Sequence, residues 1–149
     1  MPVKTRGLTF EQFNLGDVFV SAARTVTEAD VVGFAGLSGD FNPLHTDEAF
    51  ARTTPFGTRI AHGMLVAAMA TGMANWTGIF EGTTIALMEQ VIQYKGAVKF
   101  GDTVHLELTV AEKKETSKPD RGVVVVDTRV YSGDKAVIEG RWTLMMKRA

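Results

Sequence analysis

One acid and one imidazole stand five residues apart in the stretch SGDFNPLHTD. Asp40 precedes His45 across Phe41, Asn42, Pro43 and Leu44. Pro43 fixes its own φ and biases Asn42 away from helix, so the spacing predicts a stiff turn carrying both groups. An imidazole exchanges protons near neutral pH. The apolar neighbours Phe34, Phe41, Leu44, Phe50 and Phe56 are expected to bury the Asp40 carboxyl, a setting in which a carboxylate becomes an effective acid or base. Taken alone, an Asp before Asn-Pro is more often a turn residue bonding its own backbone, and a lone loop His a packed or exposed one. A third feature lies close behind. Ile60-Ala61-His62-Gly63 opens the apolar run MLVAAMATGMANW, and a helix starting there offers free N–H groups to a developing oxyanion. Acid, base and oxyanion site are the parts needed for proton transfer beside a carbonyl.

Other chemistries find little support. With no cysteine there is no disulfide framework, thiolate nucleophile or thiolate metal site. The three histidines, at 45, 62 and 105, lack HExxH or comparable ligand spacing, so no metal site is expected. His105 alternates with apolar residues and reads as a surface position. No GxGxxG or Walker segment occurs, and GLSG at 36–39 is not a nucleophile elbow. A net charge of −1 provides no pull toward nucleic acid or anionic membrane. No apolar run reaches 18 residues, and MPVKTRGLTF has no signal-peptide core. A cytoplasmic protein is expected.

The elements that must position these residues follow from patterning. At 149 residues, one domain over positions 1–149 is expected, with no linker, repeat or low-complexity tract. Met1 to Gly16 reads as a surface lead-in, and Val18 to Val26 as strand. Thr27 with Asp30 forms a capping box for a helix placing Val31, Phe34, Ala35 and Ser38 on one face. Thr46-Asp47 caps a short helix over Glu48 to Arg52, and Thr53 to Arg59 is loop. His62 to Trp76 is apolar nearly all round, so it must be buried and something must wrap it. Strand composition over Thr83–Val98, Thr103–Glu115, Gly122–Ser132 and Ala136–Lys147 supplies the wrapper. Gly101-Asp102 and Gly133-Asp134 predict tight antiparallel turns, and Lys113 to Gly122 a longer exposed loop. The class is α+β, an antiparallel sheet around one buried helix. The methionines fill core, and some line a pocket.

The ordered motif GDFNPLHTD followed by IAHGM resembles the MaoC-like family of (R)-specific enoyl-CoA hydratases and dehydratases, over roughly Phe19 to the C-terminus. The resemblance implies a hot-dog fold and reversible hydration of a trans-2-enoyl-CoA to an (R)-3-hydroxyacyl-CoA. It makes Asp40 and His45 the catalytic dyad and gives the thioester carbonyl to the Gly63 N–H. Asn42 would order the turn or bond the water, and His62 reads as a structural support. Thr71 falls where many relatives carry a Ser that bonds the dyad. No dissociable cofactor is implied, coenzyme A being part of the substrate, and Arg52, Arg59, Lys95 and Lys99 are candidates to meet its phosphates. A homodimer or higher homo-oligomer is implied, with the pocket at the subunit junction. Two rivals remain: an acyl-CoA thioesterase on the same fold, though those usually lack the D-x-N-P-x-H order, and a non-catalytic acyl-thioester-binding subunit.

Overall fold

The computed structural model describes all 149 residues. In chain order it has a 3-10 turn at Phe10–Gln12, β1 (Val18–Val20), β2 (Arg24–Thr25), α1 (Glu28–Ser38), α2 (Pro43–Thr46) and α3 (Glu48–Ala51). Then come α4 (Gly63–Trp76), β3 (Thr84–Tyr94), β4 (Thr103–Glu115), β5 (Arg121–Ser132) and β6 (Lys135–Lys147). All pairings are antiparallel, in the order β1-β4-β5-β6-β3, with β2 joining β4 beside β1. Period-two patterning explains which face meets the helix. Val104, Leu106, Leu108 and Val110 of β4, Val124, Val126 and Val130 of β5, and Trp142, Leu144 and Met146 of β6 are all buried. They join Leu65, Val66, Met69, Ala70, Met73 and Ala74 of α4 in one core of 27 residues.

The strand wrapper and the α1 capping box agree with the sequence. The Thr27 hydroxyl accepts from the Asp30 N–H at 3.1 Å, and the Asp30 carboxylate accepts from the Thr27 N–H at 2.9 Å. Gly39 ends α1 at φ 79°, a left-handed conformation in which a side chain would be strained, and so turns the chain into Asp40. Asp47 caps α3 by accepting from the Phe50 N–H at 3.1 Å.

Four expectations are corrected. The N-terminal stretch is not a surface lead-in: Phe10 and Phe13 are buried in the core, worth roughly 1.5–3 kcal/mol each. Gly122 makes the room, since a Cβ there would come within 2.4 Å of the Phe10 ring. Val18 to Val26 is interrupted, with Ser21 accepting from the Leu106 N–H between two short strands. The hairpin loop is shorter than Lys113 to Gly122, because Glu115 pairs with Gly122. Finally, α4 is wrapped on one side only. Met64, Ala68, Gly72, Asn75 and Trp76 form an exposed stripe along it, and β3 is exposed over nearly all its length.

Candidate active site

Turn chemistry builds the acid side of the site. The Ser38 hydroxyl donates to the Phe34 carbonyl at 2.7 Å and accepts from the Asp40 N–H at 3.1 Å. The Asp40 carboxylate accepts from the Asn42 N–H at 3.1 Å, and the Asn42 side chain from the Leu44 N–H at 3.1 Å. Asn42 thus caps α2 with Pro43 at its first position, where a missing N–H costs nothing. His45 lies in the single turn of α2, where its N–H donates to the Asn42 carbonyl at 2.9 Å, so with the Asn42 and Leu44 N–H bonds the five-residue spacing is held by three local bonds.

The imidazole side comes from the segment entering α4. Nδ1 of His45 lies 2.8 Å from the Ile60 carbonyl oxygen. A carbonyl only accepts, so Nδ1 carries a proton and, in the neutral ring, Nε2 is the acceptor. By the same reasoning Nε2 of His62 donates to the Asp40 carbonyl at 2.9 Å. The two imidazoles stack with centroids 3.8 Å apart at 27°, and the Phe34 ring meets His62 edge-on at 5.0 Å. His62 is only 2% exposed, and its Nδ1 is buried with no hydrogen-bond partner. Polar atoms of Asp40, His45 and His62 lie within 4.8 Å of one another.

Gly63 begins α4, and no backbone or side-chain acceptor takes its N–H. The Tyr94 ring fills the space a side chain would need: a Cβ on Gly63 would lie 2.7 Å from the nearest ring carbon. Here a cavity of about 650 Å³ opens, bounded by His45, Ile60, Gly63, Met64, Val66 and Tyr94 together with Val98 and Ile138. That size and its mainly apolar wall suit a small-molecule site. An imidazole and an open helix N-terminus line it, and the Asp40 carboxylate lies within 4.8 Å of that imidazole. Such a set can abstract a proton, return one, and hold negative charge on a carbonyl oxygen.

The structure thus brings Asp40, Asn42, His45, His62 and Gly63 together. It does not bring Thr71, whose hydroxyl donates to the Ala68 carbonyl at 2.7 Å two helical turns along. The expected burial of Asp40 is also absent from the single chain: the residue is exposed, as are Phe41, Phe50 and Phe56 near it. Arg59 is occupied by Glu48 at 2.9 Å and Glu28 at 2.8 Å, and lies over the Phe100 ring. Those partners raise its guanidinium pKa, Glu48 first, so Arg59 is a structural cation. Lys95 borders the cavity, while Arg52 and Lys99 are exposed. His105 is half-buried and stacks on Tyr131 at 5.3 Å. Tyr94 and Ile138 were missed as site residues, because nothing local marks a strand residue as cavity wall.

A curled antiparallel sheet carrying one long helix, with an acid–imidazole pair at the helix start, defines a hot-dog-fold protein of the acid–base type. Residues 12–132 match the MaoC like domain, and the chain belongs to the MaoC-like family. It is 38% identical to an (R)-specific enoyl-CoA hydratase of Rhodospirillum rubrum, over 85% of this chain and 83% of that one. It is 33% identical to a 3-hydroxybutyryl-CoA dehydratase of Methylorubrum extorquens, over 91% and 82%. The unliganded (R)-hydratase of Pseudomonas aeruginosa superposes with a TM-score of 0.80 at 32% identity, covering 95% of this chain and 86% of that one.

Proposed function

We propose that this chain hydrates a trans-2-enoyl-CoA reversibly to the (R)-3-hydroxyacyl-CoA, with Asp40 and His45 as the proton-transfer pair. The observation that carries the reading is the bond of His45 Nδ1 to the Ile60 carbonyl, which leaves Nε2 of the neutral ring as an acceptor, in a ring that has a ligand atom within 4.8 Å of the Asp40 carboxylate and borders a cavity bearing an unpaired helix N–H. In the hydration direction the water oxygen bonds to C3 as His45 Nε2 accepts a proton from it. The electron pair of the C2–C3 double bond moves to the thioester oxygen, held by the Gly63 N–H. The enolate collapses as C2 takes a proton from the Asp40–His45 pair, which returns to its starting charge. One proton enters from water and one leaves to carbon, so the pair acts as a unit. The (R) outcome rests on the names of the relatives.

Acid–base rather than metal chemistry suits the cluster. A zinc-type ion needs imidazole ring planes that converge on it at about 2 Å from each nitrogen. Rings stacked at 3.8 Å and 27° hold nearly parallel planes. No cofactor beyond the coenzyme A of the substrate enters the scheme; Lys95, at the cavity edge, and the exposed Lys99 and Arg52 are the candidates to meet its phosphates. The active form is proposed to be a homodimer. β3 is a sheet edge of 11 residues that exposes Ile85, Leu87, Met88, Val91 and Tyr94, an arrangement that invites another strand. A second copy seated there would also cover the open stripe of α4 and the aromatics beside Asp40. No helix is long and apolar enough to cross a membrane, in keeping with work in the cytoplasm.

The test is loss of enoyl-thioester absorbance on mixing the protein with crotonyl-CoA, with free thiol followed in parallel. Hydration without thiol release is expected. Asp40→Asn and His45→Gln are each expected to lower turnover about 10²–10⁴-fold. The double variant should be little worse than the poorer single one. Thiol release without hydration would replace the reading with a thioesterase, and full activity in either single variant would remove the dyad.

A further inference from the structure

We infer that Ile138 sets the length of acyl chain this enzyme accepts, a reading that rests on the hydratase function proposed above. The cavity beside His45 and Gly63 has a wet end and a dry end. Phe56, Met64, Tyr94 and Lys95 are exposed at its mouth, while Val66, Val98 and Ile138 are buried at its inner end. A charged nucleotide stays in water and a hydrocarbon does not, so the coenzyme lies at the mouth and the acyl chain points inward, between α4 and the sheet.

The inner end is closed by one side chain. Behind it lies a second void of about 10 Å³ between the same helix and sheet, bounded by Ala67, Ala70, Ile92, Val130 and Trp142. Ile138 is the single residue that borders both spaces. The second void has room for about one water, so no acyl chain enters it as it stands.

Register fixes where the barrier stands. Tyr94, whose ring covers Gly63, is the direct cross-strand partner of Ile138. Opposed side chains on one sheet face have Cβ atoms about 4.5–5.5 Å apart, so Ile138 is one side chain beyond the residue at the thioester position. That distance leaves room for a short enoyl tail. Beyond Ile138 the void follows α4 from Ala67 to Ala70 and β6 as far as Trp142. Removing the Ile138 side chain joins the two spaces and lengthens the pocket toward Trp142. The small Ala67 and Ala70 keep its helix wall low.

The test compares kcat/KM for crotonyl-CoA and trans-2-octenoyl-CoA across four proteins. The unaltered chain should prefer crotonyl-CoA. Ile138→Ala should raise the octenoyl-to-crotonyl ratio about tenfold or more, in line with the 10–200-fold that one methylene is worth in an apolar pocket. Ile138→Val, which keeps most of the core, should move the ratio the same way by less, and covers the case in which the alanine variant does not fold. Ile138→Phe should lower the ratio while leaving crotonyl-CoA turnover measurable. An unchanged ratio in the folded variants, with crotonyl-CoA still hydrated, overturns the inference alone. Hydration of neither thioester by the unaltered chain overturns the hydratase reading, and the inference with it.

Discussion

His62→Phe separates two jobs that one ring performs. The phenyl ring keeps the contacts with His45 at 3.8 Å and Phe34 at 5.0 Å but has no nitrogen to donate to the Asp40 carbonyl. Losing that bond costs about 0.5–1.5 kcal/mol, and Asp40 is exposed, so water can take over its carbonyl. Against this, the substitution removes the buried, unpartnered Nδ1, whose desolvation costs about 1–3 kcal/mol. The two effects nearly cancel or favour the variant. Thermal unfolding should therefore fall by no more than about 2 °C and can rise by up to about 10 °C, taking 1 kcal/mol as about 2–4 °C for a chain of this length. Turnover should not be spared, because the donor that ties Asp40 to the helix start is gone. A 1 Å misplacement of a reacting group costs up to about 10²-fold, so kcat with crotonyl-CoA should fall about 10–100-fold with little change in KM. His62→Gln is the complement. Its amide can reach the Asp40 carbonyl but cannot replace the ring, so it should lose more stability and keep more activity per folded molecule. Full activity in His62→Phe would refute the tether. Destabilisation beyond about 1.5 kcal/mol, the whole cost of the lost bond, would refute the account of Nδ1 as a group without a partner.

Two further outcomes follow from the geometry. Gly63→Ala would place a Cβ 2.7–3.0 Å from three carbons of the Tyr94 ring, which is half-exposed and free to swing. The fold should survive, while the methyl group and displaced ring obstruct the N–H and lower crotonyl-CoA turnover about 10²-fold, as loss of an oxyanion donor does; unaltered kinetics would take the carbonyl away from this N–H. The Glu11 carboxyl is held down to about 2 from an ordinary 4.5, first by the Arg148 guanidinium at 2.7 Å and then by the Ala149 N–H at 3.0 Å. Because its folded value lies below the unfolded one, this tie contributes fully above about pH 4.5 and fades as pH falls toward 2. An NMR titration should show Glu11 and the Ala149 amide changing together in that window, and an ordinary Glu11 titration would contradict the pairing.

What could be read from the sequence was whatever depends on near neighbours. The Asp40 turn, the Asn42 cap, the position of His45 and the start of α4 are written within a few residues of one another, and Pro43 leaves the backbone little choice. The cavity wall was illegible for the opposite reason. Tyr94 and Ile138 become neighbours only through β3–β6 pairing, and an alternating strand looks alike whether it faces core, solvent or substrate. Phe10 and Phe13 were misplaced because their partners lie far along the chain: the space left by Gly122 for Phe10, and the Phe80 ring, at 6.0 Å, for Phe13. Arg59 looked available because the two glutamates that neutralise it come from other segments. The apolar circumference of α4 indicated burial on every side, yet one chain covers only part of it.

The paired attachments of His45 and His62 have a consequence for how this protein can change. His45 follows Asp40 in sequence and fastens to Ile60, while His62 follows Ile60 and fastens to Asp40. Each segment is thus buckled to the other from both ends, and two cross-bonds besides the joining chain set the spacing of Asp40, His45 and the start of α4. That joining stretch, from α3 through Thr53, brings Phe56 to the mouth of the cavity. Lengthening a loop costs slowly, about 0.6 kcal/mol for each doubling. Insertions between Thr53 and Phe56 can therefore reshape the entrance, for a different thioester carrier, while the groups behind the buckle stay as they were.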